Sequence, residues 1–397
     1  MLGYEVYALT NNPLALGVLG LVEAIPSLSL ALYGGHIADR VDRRRILQRT
    51  LGALIVCAFV LAILETAKLG KAQLVMLYGV VFLAGIARGF AEPAAAALEA
   101  QVVPWELLIN SSTLMAGCWM TAAVIGPLVG GVAFARFGAA WTFVGVGVFY
   151  AIAWISVTQM APRPPSAAPA DESVWQSVAA GVRYVIGNQV MLGSMALDLF
   201  AVLFGGAIAL LPVFARDILQ VGPIGLGVLN AAPTTGALLS MLWCSRHPPV
   251  RHAGRNLFWA VAGFGVSMIV FALSRSFLLS VLALVFSGVF DGVSLVIRRG
   301  ILRLLSPNHL RGRIASVSMI FIGSSNELGA FESGVAAALV GTARSVWLGG
   351  IVTLVVAAVA AVLTPELRRL SLDPSRVIRR DIEIDAALDA EADGASK

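Results

Sequence analysis

Charge is what this chain has least of. Only 13% of its 397 residues are Asp, Glu, Lys or Arg, against about 25% in an ordinary soluble domain. So few polar side chains cannot cover a water-facing globule. With 58% hydrophobic residues and a mean hydropathy of +0.85, lipid has to be the solvent for much of the surface. Cysteine is scarce too. Cys57, Cys118 and Cys244 lie far apart in apolar stretches without a CxxC pair, which excludes a disulfide scaffold and leaves them as small hydrophobes. The four histidines, His36, His247, His252 and His309, fall in polar connectors, so no metal site is expected. There is no HExxH, no GxSxG elbow and no Walker A loop, which argues against a zinc protease, a serine hydrolase or an ATP-driven pump. Neither an enzyme nor a cofactor is expected. No cleavable signal peptide is visible at the start.

What is abundant is long apolar runs. Eleven stretches reach the ~20 residues needed to cross a ~30 Å hydrocarbon core: 14–33, 46–65, 73–92, 110–135, 141–160, 191–214, 224–244, 257–274, 278–297, 314–340 and 346–363. The net charge of +5 follows the membrane and gives no sign of nucleic acid. If the connector 34–45 is placed in the cytoplasm and sides alternate from there, only Lys68, Lys71, Arg136, Arg216, Arg275 and Arg344 of the 28 basic residues fall outside. That bias is the positive-inside rule. It puts Met1 near the outer face, and residues 1–9 are amphiphilic and too short to span. An odd number of spans with an outside start is most simply explained by a first helix that is largely missing.

Composition changes at 161–170, APRPPSAAPA, which cannot continue a helix and reads as an extended linker. Beyond it, Val174, Trp175, Val178, Val182, Val185 and Ile186 recur at helical spacing, as in an amphipathic helix lying on the cytoplasmic surface. The expected organisation is an N-terminal membrane half, 1–160, with a truncated first helix; a cytoplasmic linker with an amphipathic helix, 161–189; a C-terminal membrane half, 190–365; and a charged cytoplasmic tail, 366–397, read as mobile and inessential.

Two motifs carry a family resemblance. The connector Gly35-His-Ile-Ala-Asp39-Arg40-Val-Asp-Arg43-Arg44-Arg45 resembles motif A of the major facilitator superfamily, with Ile37 for the family Leu and Asp42 for the second Gly. Gly34 and Gly35 permit close helix approach, and Asp39 with the arginines suits a clamped turn at a helix N-terminus. Ala122-Ala-Val-Ile-Gly126-Pro127-Leu-Val-Gly130-Gly131 resembles motif C of antiporters in the same superfamily: glycines flatten one helix face and Pro127 kinks it. Motif B is not recognisable, since Arg88 sits near the cytoplasmic end and is followed by Glu92 where that motif has Gly. The runs Pro93–Glu99, Asp291–Arg298 and Ser325–Gly334 resemble the enterobactin-exporter-like branch.

The resemblance implies an all-α membrane protein of the major facilitator fold, with two six-helix halves and eleven full transmembrane helices present. It also implies a monomeric multi-pass protein of the inner cell membrane, exporting a small amphipathic molecule, siderophore or drug-like, in exchange for protons. A lysophospholipid flippase of the same fold and a non-transporting receptor or scaffold are the competing functions. Ionisable groups inside a bilayer are functional candidates. Asp291, Glu327, Glu332, Glu23 and Asp198 are taken as lining the cavity or carrying protons. Gly35, Asp39, Arg40, Arg43 and Arg44 are taken as the motif A gate, and Gly126, Pro127, Gly130 and Gly131 as the motif C seam. Arg88, Arg298, Arg311 and Arg313 are taken as a cytoplasmic charge cluster.

Overall fold

The computed structural model of the chain describes residues 1–67, 70–161, 174–307 and 310–373. Its helices are, in order, α1 Leu2–Thr10, α2 Pro13–Arg40, α3 Arg43–Ala67, α4 Lys71–Val102, α5 Leu108–Gln159, α6 Val174–Gly187, α7 Gln189–Gly205, α8 Leu211–Val213, α9 Gly222–Arg246, α10 Ala253–Leu273, α11 Phe277–Leu305, α12 Arg311–Val340, α13 Thr342–Leu363 and α14 Pro365–Arg368. Local chemistry sets several of these starts. The Asn12 side chain accepts from the Leu14 amide at 3.0 Å ahead of Pro13, and Asn188 does the same for Met191 at the head of α7. Both supply an acceptor that the first turn of a helix lacks.

Among the described residues ten helices are long and apolar enough to cross a membrane, one fewer than the eleven expected. The difference lies in α5, where the expected stretches 110–135 and 141–160 run on as a single helix of 52 residues. Straight, it would measure about 78 Å at ~1.5 Å per residue, far beyond the core thickness. It breaks at Gly138, where φ is 80° and ψ 175°, a conformation open to glycine and strained for other residues. The two legs then pack on different partners. The first lays Gly131 on α9, where an added Cβ would stand 2.7 Å from the Pro223 carbonyl oxygen. The second runs back along α3, with Gly147 on Phe59 and the Trp154 indole donating to the Gln48 carbonyl at 3.0 Å.

Packing is densest within two groups of helices, α2–α5 and α7–α13, which touch each other chiefly through α5 against α9 and α2 against α12. The segment 189–218 is irregular. α7 ends at Gly205, a 3-10 turn covers Ala207–Leu210, and a π turn follows α8 over Phe214–Ile218. The Ser333 hydroxyl donates to the Gly206 carbonyl at 3.0 Å, occupying an acceptor near the break. Broken helices inside a membrane need such partners.

The expected linker beyond residue 161 lies outside the described residues, and so does the tail beyond Asp373. The start of that tail is docked, against the expectation of a mobile segment. Leu367 and Leu372 are buried in the core around α7, α10 and α13, and the Leu372 amide donates to the Val250 carbonyl at 2.8 Å. The apolar side chains of this short run sit among charges, which hid them in composition. α6 packs on α12 and α7, with Val185 buried and the Tyr184 hydroxyl donating to the Leu305 carbonyl at 3.3 Å.

Candidate functional site

A cavity of about 210 Å³ separates the two groups of helices midway along α2, lined by Glu23 and Ser27 of α2, Arg88 and Glu92 of α4, and Asn326 and Glu327 of α12. Glycine brings the walls together. Cβ atoms on Gly85 and Gly89 would press on the Glu23 and Ser27 carbonyl oxygens of α2, so only glycine lets α4 lie this close. Arg88 pairs with Glu23 across this seam. Glu327 has no ion pair or hydrogen bond among the described residues, and the Arg88 charge is its main electrostatic neighbour. The cavity thus holds three carboxyls against one guanidinium.

A second charge cluster lies wholly within α7 and α11. Arg298 forms an ion pair with Asp198, the two side chains only 10% and 9% exposed, and reaches Asp291 at 3.6 Å. Asp291 is one side chain from the pair and about half exposed, at 48%. The Nε of Arg298 has no hydrogen-bond partner among the described residues. Two carboxyls sharing one guanidinium leave a formal charge of −1 in a site where ions are costly to hold.

Among the described residues the expected cytoplasmic cluster is divided. Arg88 belongs to the cavity and Arg298 to the α7–α11 cluster. Arg313 stands at the head of α12, its carbonyl against Gly181 of α6, and the Arg311 side chain lies outside the described residues. Glu332 stands five residues beyond Glu327 on α12, near Gly334, which abuts Gly17 of α2, and is not among the residues that line the cavity. Asp291 and Arg298 share α11, seven residues apart. The Asp198 partner comes from another helix, and nothing local in the sequence marks it.

In the motif A connector the Arg43 Nε donates to the Ala38 carbonyl at 3.0 Å. Arg44 donates to the Val157 carbonyl at 3.2 Å and to that of Thr158, tying the connector to the end of α5. The Asp42 carboxylate accepts from the Arg44 amide at 3.0 Å and lies 3.7 Å from Arg45. Arg40 is exposed, and the Asp39 side chain lies outside the described residues. Gly34 is the glycine at close quarters, against Gly89 and Phe90, while Gly35 has open space around it. In the motif C stretch only the last glycine is at the contact. Gly131 meets Gly227 and Pro223, and the Pro127 carbonyl abuts Gly227, but Gly126 has nothing within 4 Å and Gly130 only the end of Met1 at 3.8 Å.

Sequence reasoning also missed α1. Met1 and Tyr4 pack on the core beneath α8, Val6 and Tyr7 on that of α2 and α4, so this short helix touches both groups. The Tyr7 hydroxyl donates to Asp217, and Arg216 donates to the Tyr7 carbonyl at 3.2 Å. Burial, and then the Asp217 carboxylate, push the Tyr7 phenol from its ordinary value near 10 up to about 12, so it remains a donor.

Two bundles of apolar helices meeting across a cavity of ionisable side chains define a multi-pass membrane transporter, and the comparisons with known proteins place it further. Residues 4–392 match the family described as transmembrane secretion effector, and the chain belongs to that family of major facilitator transporters. It is similar to the enterobactin exporter EntS of Shigella boydii serotype 18, 23% identical over 352 residues that cover 88% of this chain and 83% of that protein. The EntS protein of Shigella flexneri is 24% identical over the same coverage. The fold resembles that of a bacterial homologue of the human lysosomal transporter Spinster, with a TM-score of 0.71 at 14% identity over 92% of this chain and 91% of that one. It also resembles the nucleoside transporter NupG, with a TM-score of 0.65 at 14% identity over 92% of both. The chain is a secondary transporter, not an enzyme.

Proposed function

We propose that the chain exports a small amphipathic molecule from the cytoplasm by proton exchange, the two helix groups rocking about the cavity that holds Glu23, Arg88 and Glu327. The carrying observation is the charge balance of that cavity. Arg88 is paired with Glu23, whereas Glu327 and Glu92 form no ion pair among the described residues. Proton uptake is the most direct way to remove an uncompensated carboxylate from within a membrane. Asp291 and Asp198, sharing Arg298, form a second proton-carrying group on this reading, and Glu332 stands outside the exchange.

The contacts between helix groups support rocking. At the end away from the arginine-rich connectors, Gly17 meets Gly334 and Gly131 meets Gly227 backbone to backbone. Such flat seams hold the outer side shut and let one helix roll on another. At the opposite end Arg43 and Arg44 brace the motif A connector, taken as the gate, against α2 and α5 of its own helix group. With the two legs of α5 each crossing once, the bilayer is traversed eleven times, in the inner cell membrane. The relatives named as enterobactin exporters make that siderophore the first substrate to test.

Everted membrane vesicles provide the assay. Enterobactin accumulation driven by an imposed pH gradient is expected in the wild type and is expected to fall at least tenfold in Glu327→Gln, with substrate binding retained. Accumulation that survives collapse of the pH gradient would remove proton exchange from the mechanism.

A further inference from the structure

A second hollow lies away from the cavity between the two helix groups. It is an open groove of about 660 Å³ on the outside of the α9–α10–α11 packing. Its floor is apolar, formed by Leu239, Val289, Phe290 and Val293, and its upper wall carries Trp243 and Trp259. Both indoles are largely exposed, at 57% and 70%. His247 stacks on Trp243 with ring centroids 5.2 Å apart, and Asn256 adds a side-chain amide at the same end. This end adjoins the α9–α10 connector, where Arg246 at the end of α9, Arg251 in the connector and Arg255 in the first turn of α10 are all exposed. No Asp or Glu occurs between Asp217 and Asp291, so the α9–α10 hairpin itself carries positive charge only.

We propose that the groove binds one anionic phospholipid of the arginine-rich leaflet. An acyl chain lies along the apolar floor. The glycerol backbone sits at the Trp243–His247 stack and Asn256, a level at which indole rings prefer the membrane interface. The phosphate comes under the field of the three arginines, and clustered basic residues at a membrane surface select anionic lipid. An ordinary positive-inside loop accounts for the arginines alone. It does not account for a concave apolar channel that opens beside them under a pair of aromatic side chains.

The location gives the lipid a consequence. Ala260 and Phe290 line the groove and also the small cavity that contains Asp198 and Asp291. A Cβ on Gly263 would stand 2.6 Å from the Phe290 ring, so that ring rests on bare backbone. A bound acyl chain presses on one side of this wall while the charge cluster of α7 and α11 occupies the other.

Quenching by brominated lipid tests this on the full-length protein. The protein is reconstituted in phosphatidylcholine vesicles containing either brominated phosphatidylglycerol or brominated phosphatidylcholine. Brominated phosphatidylglycerol is expected to quench tryptophan fluorescence at a mole fraction several-fold lower than brominated phosphatidylcholine. Arg251→Gln with Arg255→Gln is expected to abolish that preference, each arginine near the surface being worth up to about fivefold, while leaving phosphatidylcholine quenching unchanged. Trp243→Phe with Trp259→Phe is expected to remove the high-affinity component. Equal quenching by the two lipids, or a preference that survives the arginine substitutions, overturns the proposal. So does displacement of the lipid by soluble glycerol phosphate, which shows a headgroup site without a chain.

Discussion

Removing Arg298 is expected to damage this protein more than removing either of its acidic partners. The pair with Asp198 is nine-tenths buried, and Arg298 also holds Asp291 at 3.6 Å. Arg298→Gln strands a buried carboxylate, and breaking a buried pair from one side costs about 3–5 kcal/mol. Asp198→Asn leaves the guanidinium its second partner, so the loss is about 1.5–3 kcal/mol, the worth of a hydrogen bond to a charged group. Asp291→Asn removes a longer contact to a half-exposed group and costs about 0–1 kcal/mol. The double variant Arg298→Gln, Asp198→Asn removes the stranded charge with its partner and is expected to be more stable than the sum of the singles by about 0.5–3 kcal/mol. Unfolding in mixed micelles by denaturing detergent, followed by tryptophan fluorescence, supplies the four stabilities. The reasoning fails if Arg298→Gln is no worse than Asp198→Asn, or if the two effects add.

Three further outcomes follow from the packing. Gly131→Ala places a Cβ 2.7 Å from the Pro223 carbonyl oxygen and is expected to cost about 1–3 kcal/mol, whereas Gly126→Ala, facing open space, stays within about 0.5 kcal/mol; thermal midpoints compare them. Truncation after Leu363 discards Leu367 and Leu372, both buried, at about 1.5–3 kcal/mol each, as read by the same detergent titration. Tyr7→Phe removes the hydroxyl bond to Asp217 and is expected to cost about 1.5–3 kcal/mol. Because burial raises the phenol to about 12, its contribution is complete below its ordinary value near 10 and is lost as pH climbs through 12. The gap between wild type and Tyr7→Phe therefore stays constant from pH 6 to pH 9, and a gap that shrinks in that range contradicts the assignment.

The helices were legible because a span announces itself by length and hydropathy, which needs no knowledge of neighbours. Length also placed the break in α5, between 135 and 141, but not its form: Gly138 is one glycine among 40, and its positive φ is what turns the chain there. Glycine-rich motifs showed where helices approach, but the choice of Gly34 over Gly35, and of Gly131 over Gly126, depends on which way each helix is rolled. Charged residues in apolar runs were found as candidates by their cost. Their partners were not, since Asp198 meets Arg298 from 100 positions away in sequence. The docked Leu367 and Leu372 escaped because a composition window mixes them with the charges around them.

The claim on which the rest depends is that the two helix groups separate and close about their shared cavity. Spin labels at Asn12 and Val340, exposed at the outer ends of α2 and α12, with the three native cysteines replaced, report that motion by pulsed dipolar distance measurement. The account predicts one short distance at neutral pH without substrate and a second, longer population on acidification or substrate addition, absent in Glu327→Gln. A single unchanged distance under every condition, in protein that still transports, would contradict it.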